Sequence, residues 1–197
     1  MTLRYDTRSR VSTYTQSWVA NADPDFGAYE SIATTTLSSS TASVTFSSIP
    51  QTYKHLQLRL MARDTRTITG NPIDMYVNSD STYTNYANHY LSGSGSSASS
   101  GGGQAASQFL PAGVSAGASA GSNIFGVAVM DFLDYTNTNK YKTVRALSGY
   151  DNNGSGEADF LSGVWLNTSA ITSILLYPRT STNFVQYSSF ALYGIKA

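Results

Sequence analysis

Among the side chains of this sequence, paired carboxylates come nearest to the arrangement that a catalytic site requires. Hydrolysis of a glycosidic bond needs two carboxylates that flank the scissile bond. Asp131 and Asp134 follow an apolar segment closely, and Asp151, Glu157 and Asp159 cluster further along the chain. Carboxylates at strand ends usually lie in turns, exposed to solvent. Their spacing in the sequence does not show that two of them lie close together in the fold. We therefore assign no catalytic residue and expect the chain not to be an enzyme.

Nucleophilic catalysis is not indicated either. The serines within residues 93–95 and 154–156 lie in Gly-Ser-Gly runs, not in a Gly-x-Ser-x-Gly elbow between a strand and a helix. His55 falls on the polar face of a predicted strand, and His89 lies among polar residues and a tyrosine. Both histidines are typical of hydrogen-bonded structural positions, and they do not have metal-ligand spacing.

The segment 151–157 resembles the start of a calcium-binding loop. Asp151, Asn153, Ser155 and Gly156 match its early positions, but the position of the closing glutamate holds Ser162 and no flanking helices are predicted. A hairpin turn explains the same residues, because Asn and Gly adopt positive φ readily. With no cysteine and no nucleotide-binding fingerprint, the sequence predicts no metal site and no cofactor.

The charge pattern argues against nucleic-acid and membrane partners. Twelve basic side chains balance twelve acidic ones, so no net field attracts a polyanion. Arg59, Arg63 and Arg66 form the densest basic group, but Asp64 lies among them, and we expect the last two arginines to begin a polar loop. A run of about 18 apolar residues, which a membrane-spanning helix requires, does not occur.

The segments that carry these side chains alternate between apolar and polar residues with a period of two. Leu56, Leu58 and Leu60 share one face of a predicted strand, opposite His55, Gln57 and Arg59. Further segments show strand patterns: 43–46, 73–77, 125–133, 140–148, 158–166, 171–177 and 190–195. Eight to ten short strands, with no convincing helical period, predict an all-β, antiparallel β-sandwich or barrel over residues 28–197.

A Gly/Ser/Ala-rich stretch interrupts this pattern at about 92–122, and we predict a loop there. A structureless loop of that length is unusual inside a compact domain. One interpretation is a flexible excursion without a role. The other is an extended loop that anchors to another subunit through Phe109 and Leu110.

Residues 1–27 are predicted to form an extended N-terminal arm. They show neither helical nor strand periodicity and end in a turn signal at Asp23-Pro24-Asp25. The arm is either a frayed terminus or a segment that orders by packing Trp18 and Phe26 onto a neighbouring subunit.

Several segments, in this order, resemble a group of small structural proteins encoded by bacteriophages. The resemblance covers about Tyr29 to Ala197 and is carried by residues 29–33, 44–50, 56–59, 62–64, 86–91, 139–143, 167–172 and 190–196. It implies a virion protein with a jelly-roll-like sandwich on the capsid surface or in the tail. It carries over no catalytic residue.

We therefore predict a virion component, most simply a capsid decoration or cement protein that stabilises the head by contacting coat subunits. The alternative is a tail or fibre component for adsorption, for which a host glycan is a candidate ligand. A further alternative is a free-standing carbohydrate-binding module. The sign of the tail or adsorption role would be a shallow groove with Tyr or Trp beside Asp and Asn, for which Trp165 and the Asp151 loop are candidates. Other virion proteins, from the capsid or the tail, are the expected partners. By analogy with viral sandwich proteins, a homotrimer is expected.

Overall fold

Two antiparallel sheets face each other in the computed structural model, which describes residues 28–104, 110–180 and 182–196. The larger sheet has eight strands, in the spatial order β1 Tyr29–Thr36, β12 Ser189–Ile195, β3 His55–Ala62, β8 Gly126–Leu133, β9 Lys142–Asp151, β10 Gly156–Trp165, β5 Tyr86–Gly93 and β6 Ala98–Gln104. The smaller sheet has four, in the order β2 Val44–Phe46, β11 Ile174–Pro178, β4 Gly70–Val77 and β7 Leu110–Ala116. The predicted antiparallel, jelly-roll-like sandwich is confirmed.

Helical structure is minimal in the described part of the chain. A 3-10 turn at Tyr83–Asn85 leads into β5. Within the same residues, no helix is long and apolar enough to cross a membrane.

Strand alternation divides strands such as β3, β8 and β12 between the core and the surface, whereas β7 is buried on both faces. In β3 the leucines Leu56, Leu58 and Leu60 are buried, whereas Arg59 and Met61 are exposed, as the period of two predicted. The core lies between the two sheets and contains large side chains from both of them: Phe46, Leu58, Met75, Tyr86, Phe132, Trp165, Leu176 and Phe190.

The loop predicted at about 92–122 is wrong for much of that stretch, because β6 and β7 occupy it and bring the strands of the described residues to twelve. Small residues serve close packing here. A Cβ at Gly101 of β6 would lie 2.8 Å from the ring of Tyr90, and one at Gly113 of β7 would lie 2.6 Å from the Cβ of Ala128. Gly113 also has a φ of 133°. In β7 the glycine is therefore required by close packing against β8, whereas β6 is an edge strand in which residues 98–100 and 102 are exposed.

Three of the predicted partner-binding residues lie outside the described residues: Trp18, Phe26 and Phe109, together with the whole arm 1–27. The fourth, Leu110, is the first residue of β7 and is completely buried in the core of this chain. The anchoring role predicted for Leu110 is therefore corrected, since its side chain packs within the subunit.

Candidate functional site

The carboxylates Asp131 and Asp134 do not form a catalytic pair. Asp134 follows β8 and lies 2.9 Å from the ammonium group of Lys54, and it also contacts Lys140. Hydrogen bonds from Lys140 and Lys54 lower its pKa to about 2, against the opposing effect of burial. Its backbone amide donates to Nδ1 of His55 at 2.9 Å, so that nitrogen of His55 is an acceptor. These side chains, Lys54, His55, Asp134 and Lys140, lie together where β3 begins and β8 ends.

Glu157 and Asp159 lie on the same face of β10, two residues apart. Burial raises the pKa of both carboxyls, and the charge of Asp159 raises that of Glu157 further; a hydrogen bond with Ser92 partly opposes the rise at Asp159. They therefore bind protons more tightly than ordinary carboxylates. Among the described residues, no group of three or more His, Asp and Glu side chains could hold a metal ion.

The Asp151 segment is a hairpin turn between β9 and β10, as predicted. The carboxylate of Asp151 accepts the amide of Asn153 at 2.8 Å, and Asn153 and Gly154 have φ of 52° and 100°. Trp165 is not available for stacking on a sugar, because it is 1% exposed within the core. Its indole Nε1 donates instead to the carboxylate of Asp80 at 2.8 Å.

The arginines of the predicted basic group have internal partners. The guanidinium of Arg63 donates to the backbone carbonyl oxygens of residues 118, 120, 121 and 124 and so pins the connection between β7 and β8. Arg66 donates to Asn71, and Arg59 stacks over the rings of Tyr29 and Tyr193.

An apolar patch lies on the outer face of the larger sheet. Four exposed residues stand side by side on adjacent strands, because Val129 pairs with Leu147, Leu147 with Phe160, and Phe160 with Leu91. Leu147 is 64% exposed and Phe160 is 43% exposed. With strands about 4.8 Å apart, this row spans about 14 Å. We define the apolar patch as these four residues and two exposed neighbours from the next row, Met61 and Val127.

Polar residues border the apolar patch on one side, and a hollow borders it on the other. The next row contains Gln57, Asp131 and Arg145, in which Gln57 donates to Asp131 at 2.9 Å and Arg145 lies 3.7 Å from it. On the opposite side, Gly93 and Gly149 leave a hollow of about 570 Å³ at the β9–β10 hairpin. An apolar centre with a polar rim is the usual anatomy of a protein interface.

A second surface lies on the opposite side of the sandwich, where a groove of about 810 Å³ crosses the outer face of the smaller sheet. The rings of Tyr76 in β4 and Tyr177 in β11 have centroids 6.0 Å apart and are tilted by 57°. Leu175 pairs with Tyr76, and Tyr83 of the 3-10 turn also lines the groove and is 48% exposed. We call this surface the tyrosine groove.

Asp74 and Arg179 form the charged part of the tyrosine groove. The Nε and Nη2 atoms of Arg179 donate to the two carboxylate oxygens of Asp74 at 2.8 and 2.6 Å. This ion pair raises the pKa of Arg179, while burial and the carboxylate of Asp74 raise that of Tyr177. The other polar lining residues carry hydroxyl or amide groups: Ser43, Ser81, Thr180, Thr182 and Asn183.

The two candidates that the sequence offered for a sugar-binding groove, Trp165 and the Asp151 loop, do not line the tyrosine groove. The alternation of Ile73, Met75 and Val77 placed Asp74 and Tyr76 on the opposite face of β4. Their partners are more than a hundred positions later, since Arg179 and Asp74 are 105 residues apart. Only the strand order of the smaller sheet brings these two segments together.

Comparison with known proteins gives little guidance. No family model matches the chain, and no curated protein matches it. Among solved structures, it is similar to the galectin LEC-6 of Caenorhabditis elegans, with 10% sequence identity and a TM-score of 0.34 over 85% of this chain and 96% of that one. A likeness at this level says nothing about ligands.

Proposed function

We propose that this chain is a non-enzymatic structural protein of a bacteriophage virion that assembles onto other virion proteins through its apolar patch. The observation that carries the assembly role is the row Val129, Leu147, Phe160 and Leu91 on four adjacent strands. The resemblance of the segments between Tyr29 and Ala197 to phage structural proteins supports the virion setting. Decoration of the capsid, by contact with coat subunits, is the role we favour.

The physical argument rests on the cost of leaving the apolar patch in water. Removal of a large apolar side chain from water stabilises an association by about 1.5–3 kcal/mol. A contiguous group of such residues on a rigid sheet loses little conformational entropy on binding, because the sheet already holds their backbones in place. The accessible polar groups of the rim, on Asp131 and Arg145, would then fix the orientation of the partner.

The first test is the copy number and position of the protein in purified particles, by quantitative mass spectrometry and immunogold labelling. Many copies spread over the head would support decoration. Few copies at the tail would replace decoration with the adsorption role, and absence from particles would contradict the virion proposal.

The second test changes the apolar patch itself. Particles that lack the protein are incubated with purified chain carrying Leu147→Ser and Phe160→Ser, and bound protein is counted. We expect occupancy to fall by at least about tenfold, since the two changes together remove more than about 1.4 kcal/mol of apolar burial. Leu133→Ser is the matched control, because Leu133 is an exposed leucine at the end of β8 outside the patch. Equal occupancy of both variants would contradict the role of the patch.

The same variants distinguish a second copy of this chain from a different partner. If light scattering shows an oligomer that Leu147→Ser and Phe160→Ser convert to a monomer, the patch contacts another copy. If the oligomeric state is unchanged while occupancy on particles falls, the patch contacts another virion protein.

A further inference from the structure

We propose that the tyrosine groove binds an uncharged saccharide. The inference rests on the groove alone and is independent of the virion assignment, because the groove lies on the smaller sheet and the apolar patch on the larger one. The feature that carries it is the combination of aromatic rings with a fixed, hydrogen-bonding ion pair in one open surface.

The aromatic part provides contacts for the apolar face of a sugar ring. Tyr76 and Tyr177 are tilted by 57° at a centroid separation of 6.0 Å, so two rings are presented to one ligand. Tyr83, about half exposed, adds a third ring from the 3-10 turn. Tyrosine suits this role because its body is apolar and its tip forms hydrogen bonds.

The ion pair provides fixed polar groups for hydroxyls. Asp74 is buried and accepts two hydrogen bonds from Arg179. The side chain of Arg179 is 30% exposed. A planar guanidinium locked in this way loses little rotational freedom when it donates to a ligand. The neighbouring hydroxyl and amide groups of Ser43, Ser81 and Asn183 add donors and acceptors.

Charge selects the class of saccharide. Asp74 and Arg179 are the charged residues among the described residues that line the groove, and their formal charges cancel. A groove without net charge has no electrostatic preference for sialylated, sulfated or phosphorylated ligands. Hydroxyls and aliphatic ring faces, which uncharged saccharides present, match the lining best.

The test uses the purified chain, displayed multivalently, on an array of immobilised neutral, sialylated and sulfated oligosaccharides. We expect retention on a subset of the neutral oligosaccharides. The strongest of these is then titrated in solution by saturation-transfer NMR. Retention on charged oligosaccharides alone, or on none, would overturn the proposal.

Three variants locate the binding. Tyr83→Ala should weaken affinity by about tenfold through the loss of one aromatic contact. Ala42→Trp should abolish binding, because Ala42 is an exposed lining residue and the added ring fills the groove. Tyr141→Ala is the control, since Tyr141 is similarly exposed and lies outside the groove. Thermal melts establish that each variant is folded, and undiminished binding by both Tyr83→Ala and Ala42→Trp would overturn the assignment.

Discussion

The indole Nε1 of Trp165, in β10, donates a hydrogen bond of 2.8 Å to the carboxylate of Asp80, in the turn after β4. The bond ties the end of the larger sheet to the smaller one. Burial acts to raise the pKa of Asp80, but hydrogen bonds from Trp165, Asn85 and Thr82 outweigh it and lower the pKa. Asp80 is therefore stabilised as a carboxylate by Trp165 of the larger sheet and by Thr82 and Asn85 of the segment that joins β4 to β5.

Replacement of Trp165 with Phe should lower the free energy of unfolding by about 1–3 kcal/mol, because it removes one donor from a partly buried carboxylate. Urea unfolding of Trp165→Phe, Asp80→Asn and the double variant would measure the coupling between the two residues. We expect the two effects to be non-additive by more than about 0.5 kcal/mol. Additive effects would show that the hydrogen bond contributes little.

Asp134 should make the fold sensitive to acid. Its pKa is about 2 in the folded chain and 3.8 ordinarily, so its stabilising contribution is present above pH 3.8 and is lost as the pH falls towards 2. Asp134→Asn should flatten the dependence of the urea midpoint on pH in this range. Asn suits the position because φ is 49°.

Lys140→Met offers a graded check on Asp134, since it removes the group whose hydrogen bond contributes most to the lowered pKa. It should give an acid dependence between that of the wild type and that of Asp134→Asn. The explanation fails if all three proteins lose stability equally between pH 4 and pH 2.

Glu157 should have the opposite effect on stability. Burial, and then the charge of Asp159, raise its pKa, so the folded chain holds its proton more tightly than the unfolded chain. The stability that this protonation supplies is present at low pH and is lost as the pH rises through the raised pKa. Glu157→Gln should therefore melt above the wild type at pH 7, with the difference closing towards pH 4.

Glu30→Gln is the control for Glu157, because Glu30 lies at the surface 3.2 Å from Lys196. It should show no such gain at pH 7. Melting curves at several pH values decide the matter, and a constant difference between Glu157→Gln and the wild type would count against titration of Glu157 as the cause.

Gly113→Ala should destabilise the sandwich by about 1–3 kcal/mol, because the added methyl group overpacks the space between the sheets. A Cβ there would lie 2.6 Å from the Cβ of Ala128, on a backbone with φ of 133°. Gly93→Ala is the matched control, since a Cβ at Gly93 meets nothing within 4 Å, and its effect should stay within about 0.5 kcal/mol. Similar melting temperatures for the two variants would contradict the close approach of β7 to β8.

Local alternation predicted the sandwich and many of its strands. It predicted the buried face only for strands in which one face alone is apolar. In β3, only one face is apolar, so the leucines could be placed inside. In β8, both faces are apolar, and the structure buries Met130 while Val127 and Val129 remain outside. The apolar patch was missed for this reason, since its recognition requires the register between β8 and four further strands, β3, β9, β10 and β5.

Two predictions made from residue type were wrong, because in the folded chain packing gives these residues a role other than their usual one. Gly-rich sequence suggested a loop at 92–122, but β6 and β7 occupy much of it, and in β7 a Cβ at Gly113 would lie 2.6 Å from the Cβ of Ala128. Trp165 was a candidate for an exposed stacking residue, but its ring fills the core. Neither Trp165 nor the Asp151 loop lines the tyrosine groove, whose rings Tyr76 and Tyr177 meet only in the folded sheet.

The placement of the apolar patch and the tyrosine groove on opposite faces has a consequence for any assembled particle. A subunit seated by its larger sheet presents its smaller sheet outward, so every copy adds one groove at a fixed orientation. Weak single-site affinity then matters less than the number of grooves that can engage one glycan-coated surface at once, because each contact raises the effective concentration for the next. Particle occupancy would thereby set the strength and reversibility of adhesion without any change in the groove itself.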